Sequence, residues 1–343
     1  MRRIGLVFAL SLALVSLHAQ PHLKNASVTN AAAGGNLGAQ VRAASTTWVA
    51  YNVPAVNNDA TICCMTDSWR VGTCNLEGTS NNFNISDGGK EKDLTLDTQL
   101  SVFYRVSGRT IEKVRVFTTN CGIDAHGATI TWLDGVDPKQ SVSLLASLIT
   151  DDGETVSRRA LDALAMHADP SATDALEAIV RSNAGHKPRE HAAFWLGNSR
   201  GKRGYEIVKR LANDPNETTS MREKAVFAMT QSEEPQRIDD LISIARHDPE
   251  SKVRAHALFW LSQAAGKKAG AALRDAVDND PDTDVKKKAV FGIAQLPDDQ
   301  SIPLLADLMR THKNKEVRKQ AAFWLGQKND PRALAAIESV LKN

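Results

Sequence analysis

A thiol–acid–imidazole cluster, four cysteines and a periodic row of aromatic rings are where this sequence could do chemistry. Cys121, Asp124 and His126 fall within one short stretch. A thiol beside an imidazole can be a nucleophile, but only if the two meet in space. Closeness in sequence does not supply that geometry, and the stretch reads as a disulfide cysteine followed by a turn. Cys63, Cys64, Cys74 and Cys121 are the only cysteines in 343 residues. An even number confined to one small region of an exported chain implies two disulfides. Neighbours such as Cys63 and Cys64 rarely bridge each other, so each is expected to reach Cys74 or Cys121. The competing chemistry is a zinc site or a redox pair. The chain has no C-x-x-C, and His126 is the only imidazole near the cysteines. No catalytic, cofactor-binding or metal-ligating residue is assigned, no cofactor is expected, and binding is favoured over catalysis.

The aromatic row is the stronger signal. Phe194, Phe227, Phe259, Phe291 and Phe323 recur at intervals of 33, 32, 32 and 32 residues. The segment around them recurs too, as in Arg189-Glu-His-Ala-Ala-Phe-Trp-Leu-Gly197, Arg254-Ala-His-Ala-Leu-Phe-Trp-Leu-Ser262 and Arg318-Lys-Gln-Ala-Ala-Phe-Trp-Leu-Gly326. A fixed period of this size means stacked supersecondary units. On a wheel of about 100° per residue, Val253, Ala257, Trp260 and Leu261 share the face that packs on a partner helix. Phe259 falls almost opposite. The phenylalanines should therefore line one surface of the stack, or be tucked between neighbouring helices where curvature closes on them. An exposed aromatic stripe marks a binding surface. His191, Lys224, His256 and Lys288 stand three residues before successive phenylalanines, and with the five rings they are the candidate partner-binding residues. Trp195, Trp260 and Trp324 alternate with Ala228 and Gly292, which suggests large-against-small packing between layers. A histidine four residues before a tryptophan lies on the same helix side, so a ring contact or hydrogen bond is expected.

The elements that must position these rings are helix pairs. Helical periodicity predicts 139–149 with 154–166, 171–182 with 187–198, 203–212 with 218–231, 235–246 with 250–264, 267–278 with 282–295 and 299–311 with 315–327, closed by 331–342. Asp214-Pro215, Asp248-Pro249 and Asp280-Pro281 punctuate the pairs, and Asp330-Pro331 opens the last helix. Aspartate can cap orphan amides, and proline suits a first helical turn. Before the repeats, residues 46–138 read as a small β-rich domain. Leu100–Val106 and Ile111–Phe117 around Ser107-Gly108 form a hairpin, with strands also at 46–53 and 128–133 and a loop at 77–93. Residues 20–45, rich in Ala, Asn, Gly and Ser with no apolar period, read as a flexible linker. Arg2 and Arg3 followed by the apolar run Ile4–Leu17 read as a secretory signal cleaved after Ala19. The chain is thus expected to be exported, periplasmic or secreted, with no stable membrane span in the mature part.

Net charge is +2, with acids and bases interspersed. That leaves no basic stripe for nucleic acid, and Lys286-Lys287-Lys288 reads as a solvated helix face. No phosphate-cradling glycine loop or Gly-x-Ser-x-Gly elbow occurs.

The pattern Val317-Arg318-x-x-Ala321-Ala322-x-x-Leu325-Gly326, echoed at Val253-Arg254, Val285-Lys286, Met221-Arg222 and Pro188-Arg189, resembles the second helix of short bacterial HEAT-like repeats such as those of phycobilin lyases. Val156-Ser157-x-x-Ala160 is a degraded first copy. The resemblance covers about residues 140–343. It implies a mainly α fold: a right-handed α-solenoid of about six helix pairs behind a small N-terminal β-rich domain. Signal, cysteine-containing β segment and repeats together look like uncharacterised exported bacterial HEAT-repeat proteins. The implied role is a scaffold or adaptor binding a protein or peptide on the surface lined by the second helices. One alternative makes the β domain the functional part, with the solenoid as spacer or regulator. Another is a HEAT-like lyase or metal-dependent hydroxylase. Deoxyhypusine hydroxylases hold two irons with His-Glu pairs on several helices. Here there is Glu190-His191 in reversed order and His256 without a neighbouring Glu, while Lys224, Lys288 and Gln320 fill the other positions. That ligand set is too poor for a diiron site.

Overall fold

The computed structural model describes residues 20–56, 63–65, 71–78, 99–119, 121–150, 155–183, 185–263 and 267–341. The expected signal at 1–19 and most of the expected loop at 77–93 lie outside them. The chain divides into two compact units, Met1–Asp137 and Pro138–Asn343. No helix among the described residues is long and apolar enough to cross a membrane.

The first unit contains β1 (His22–Lys24), β2 (Ser27–Ala32), α1 (Leu37–Ala43), β3 (Trp48–Pro54), β4 (Cys64–Met65), β5 (Val71–Gly72), β6 (Cys74–Asn75), β7 (Gln99–Ser107), β8 (Thr110–Thr118), β9 (Gly122–Asp124) and β10 (Thr129–Asp134). Its main sheet runs β2-β10-β3-β7-β8, a second sheet runs β1-β9-β6, and β4 pairs with β5. The β7–β8 hairpin turns through Gly108 and Arg109, both at positive φ (53° and 68°). That backbone twist matches the twist of the flanking strands. Trp48, Phe103, Phe117 and Trp132 fill the core beside Cys63, Cys74 and Cys121. Phe103 packs edge-on against both Phe117 and Trp132. Cys63 is bridged to Cys121 across 58 residues of sequence, and no described cysteine is free.

Residues 20–45 are not a linker. β2 pairs in parallel with β10 from Ser27↔Thr129 to Ala32↔Asp134, and β1 pairs with β9. Most β2 side chains face water, so the strand carries no apolar alternation. What orders it is main-chain pairing with a strand about 100 residues away, which a local pattern cannot reveal. α1 buries Leu37 and Val41, and Asn36 caps it by accepting from the Ala39 amide.

The second unit consists of α2 (Pro138–Ala146), α3 (Thr155–Met166), α4 (Pro170–Arg181), α5 (His186–Ser199), α6 (Gly201–Ala212), α7 (Thr219–Thr230), α8 (Arg237–His247), α9 (Ser251–Gln263), α10 (Lys267–Asn279), α11 (Thr283–Ala294), α12 (Asp298–Thr311), α13 (Lys315–Gly326) and α14 (Pro331–Leu341). Each of α3, α5, α7, α9, α11 and α13 packs on the helix before it and on its counterpart in a neighbouring layer. The 3.6 period decides which residues do this. Val253, Ala257 and Leu261 are fully buried, as are Val317, Ala321 and Leu325.

Polar ties join the layers. The Arg189, Arg222 and Arg254 guanidiniums each bond backbone carbonyls at the end of the preceding helix or in the loop after it (Val180, Ala212, and Asp248 with Pro249). Each also pairs with a carboxylate one repeat further on: Glu217, Asp248 and Asp280. The Asp-Pro aspartates therefore do more than the expected capping. Asp248 and Asp280 each accept from the amide two residues on, and also hold the arginine of the layer before.

His167, just after α3, is fully buried, and its Nδ1 accepts from the Asp169 amide. Burial, reinforced by the nearby Arg200 charge, pushes its pKa down to about 4. Between pH ~6.5 and ~4 the unfolded chain takes up a proton here that the folded chain does not. Stability is therefore full above ~6.5 and falls as pH drops through that window, by roughly 2–3 kcal/mol. Urea melts at pH 7 and pH 4 check this. His167→Gln should lose that part of the slope, and a variant whose pH profile superimposes on the parent would refute the assignment.

Candidate functional site

The five second helices α5, α7, α9, α11 and α13 bring all the predicted rings onto one ladder. Phe194 stacks on Phe227 at 6.0 Å, and Phe259 on Phe291 at 6.4 Å with the planes 1° apart. Between these joints, Phe227 meets Trp260 at 4.7 Å and Phe291 meets Trp324 at 5.0 Å. Within single helices, Phe194–Trp195, Phe259–Trp260 and Phe323–Trp324 touch edge to face. The eight rings form one unbroken run. Phe194, Phe227, Phe259 and Phe291 are half-buried, and Phe323 is 54% exposed. The outcome lies between the two expectations: ring packs on ring, while one side of the row stays open.

The tryptophans were expected on the face against the partner helix, and their rings also join the ladder. An indole is long enough to swing from the helix flank onto the phenylalanine of the preceding layer. The small residues also have another job. A Cβ on Gly197 would lie 2.0 Å from the Ala228 carbonyl oxygen, and one on Gly292 would lie 3.4 Å from the Ser262 Cβ and 2.6 Å from Leu273 Cδ2. The bare Cα of Gly197 lets α5 approach α7 at backbone distance, and that of Gly292 leaves room for Leu273 of α10 and Ser262 of α9; both lie at the joints where phenylalanines stack. Phe–Phe and Phe–Trp joints alternate, which explains the doubled period.

The expected histidine contacts form. Trp195 Nε1 donates to His191 Nε2 at 3.0 Å, and Trp260 Nε1 donates to His256 Nε2 at 2.9 Å. Burial first, and the Lys224 charge second, lower the His256 pKa, which favours the neutral ring that can accept. Beneath His191 lies buried Asp162, 3.2 Å from His191 Nε2 and paired with Arg159. Lys224 pairs with Glu190 at 3.3 Å, while Lys288 is exposed.

At the Phe194–Phe227 joint the row opens into a cleft of about 480 Å³. Phe194, Phe227, Leu161 and Pro188 form its apolar walls, and Arg158 and Lys187 stand at it. Sequence reasoning missed Arg158, Lys187 and Asp162. Arg158 and Asp162 sit on α3, whose copy of the repeat lacks the Ala-Phe-Trp-Leu signature. The available signal was register alone, because Val156-Ser157 aligns with Met221-Arg222.

The Cys121, Asp124 and His126 cluster assembles no catalytic group. Cys121 is bridged to Cys63. Asp124 accepts from Asn25 and from the His126 amide, and the His126 ring is about half exposed. Among the described residues, no three His, Cys, Asp or Glu side chains converge as a metal site would need.

Residues 270–343 match the sequence profile of the family described as HEAT repeats. No curated protein matches the chain. Among solved structures, it is similar to human deoxyhypusine hydroxylase in complex with glycerol (17% identity, TM-score 0.30, 59% of this chain and 90% of that one). It is also similar to the CpcE–CpcF complex of phycocyanin lyase from Nostoc (20% identity, TM-score 0.34, 50% of this chain and 70% of that one). A third likeness is to Kap121p bound to RanGTP (15% identity, TM-score 0.35, 55% of this chain and 26% of that one). None of these lends the chain a residue role. The helices of residues 270–343 are HEAT-like repeats.

Proposed function

We propose that this chain is a scaffold or adaptor that binds a protein or peptide along the aromatic ladder of its second helices. The observation that carries the reading is the ladder itself: eight rings in unbroken contact, half of them half-buried phenylalanines with one side open. Aromatic groups set in a polar surround are the usual energetic anchors of protein interfaces. His191, Lys224, His256 and Lys288 supply that surround. The reading includes an exported setting, periplasmic or secreted. The buried Cys63–Cys121 bridge supports it, because such bonds persist in oxidising compartments. Bridging of Cys121 also favours binding over thiol chemistry.

The test is capture from the exported fraction by the parent chain beside a Phe227→Ser, Phe259→Ser, Phe291→Ser variant. The rings are half-buried, so the variant should lose about 1–2 kcal/mol per site and still fold. A partner retained by the parent and lost by a variant with parent-like circular dichroism is the expected result. Equal capture by both would move the binding surface elsewhere, with the β-rich unit the next place to search. Iron or zinc bound near one or two per chain would instead revive a hydroxylase-like reading.

A further inference from the structure

Resting on that reading, we infer that the Phe194–Phe227 joint is a pocket for an acidic peptide segment carrying an aromatic side chain. Three observations converge there. The cleft of about 480 Å³ falls in the range of side-chain and ligand pockets. Its walls offer two stacked rings, 6.0 Å apart and half-buried, on which a third ring can stack. Among the described residues its rim carries an excess of positive charge. Arg158 and Lys187 are both exposed, and no ion pair to either is found among the described residues. The other polar groups at the site are already engaged: Lys224 with Glu190, and His191 Nε2 with the Trp195 indole.

Register sharpens the argument. At the second Phe–Phe joint, formed by Phe259 and Phe291, the residue equivalent to Arg158 is Glu223 and the one equivalent to Lys187 is Lys252. The two joints share their rings and differ in charge, so the cationic rim belongs to the first joint. A carboxylate-bearing segment complements it, and a basic segment is repelled.

The test uses the full chain and fluorescein-labelled 12-residue peptides read by fluorescence anisotropy. One peptide has central phenylalanines flanked by glutamates, a second has the same phenylalanines flanked by lysines, and a third keeps the glutamates but replaces Phe with Ser. The acidic Phe peptide should bind about tenfold more tightly than either of the others at low salt. Raising salt to about 0.5 M should erase the difference between the acidic and basic peptides. Arg158→Glu with Lys187→Glu changes two exposed side chains and should reverse the charge preference without disturbing the helices. Equal binding of the acidic and basic Phe peptides would overturn the inference, and the docking reading would survive if both still outbind the Ser peptide. Equal binding of the acidic Phe and Ser peptides would overturn it as mere charge attraction. Binding by none of the three would also overturn it, leaving the docking reading to be judged by the capture experiment.

Discussion

Gly197→Ala is expected to destabilise the helical unit by about 3 kcal/mol or more, the upper end of overpacking effects. The added Cβ would sit 2.0 Å from the Ala228 oxygen, 2.7 Å from its carbonyl carbon and 3.2 Å from its Cα. All three are backbone atoms of α7, so no rotamer change relieves the clash. Nor can α5 retreat freely. On its other side Gly204 of α6 packs so closely that a Cβ there would lie 2.0 Å from the Leu196 oxygen. α5 is held between two helices at backbone distance, and an extra methyl must wedge α5 from α7. That wedge also parts Phe194 from Phe227 and removes the wall of the cleft. Gly326 is the built-in control, because it holds the same repeat position in α13 and nothing lies within 4 Å of its Cβ. Gly326→Ala should be neutral or stabilise by up to ~1 kcal/mol, the helix advantage of alanine over glycine. Urea unfolding followed at 222 nm separates the two. A Gly197→Ala midpoint equal to the parent's would mean that the helices part at little cost.

The same comparison marks what the sequence made legible. Period and hydrophobic face are local properties, so the helix pairs and the burial of Val253, Ala257 and Leu261 could be read directly. So could the i, i+4 bonds from Trp195 to His191 and from Trp260 to His256. The β7–β8 hairpin was readable because alternation and a glycine turn sit side by side. What escaped depends on distant partners. β2 owes its order to β10, and Cys63 could have met Cys74 or Cys121 until the sheet chose. The contacts of Trp260 and Trp324 with phenylalanines of the preceding layer lie between helices, where a single helix wheel cannot show them. The Gly197–Ala228 approach was invisible because two separate helices create it, and a glycine alone does not say what it is close to.

Asp280→Ala should cost about 3–5 kcal/mol, because it strands a buried charge between two repeats. The Arg254 guanidinium is bidentate on Asp280, with Nε at 2.8 Å and the second contact at 3.0 Å, and its remaining nitrogen bonds the Asp248 and Pro249 carbonyls. The two side chains are only 8% and 4% exposed. The hydrogen bond to Asp280 holds the Arg254 pKa above its ordinary value, and the intrinsic basicity of a guanidinium keeps it charged when that partner is lost. Replacing both members with apolar groups, Arg254→Met with Asp280→Leu, should recover part of the loss, since no isolated charge then remains. The location matters as much as the size. In a repeat array each layer is stabilised by its neighbours, so weakening one joint divides the cooperative unit. Asp280→Ala should therefore release α10 to α14 before the layers preceding them, and amide exchange should quicken there first. If exchange instead rises evenly from α2 to α14, or the midpoint stays at the parent value, the arginine–carboxylate ties are not what makes the layers act together, and apolar packing with the aromatic ladder must carry that coupling.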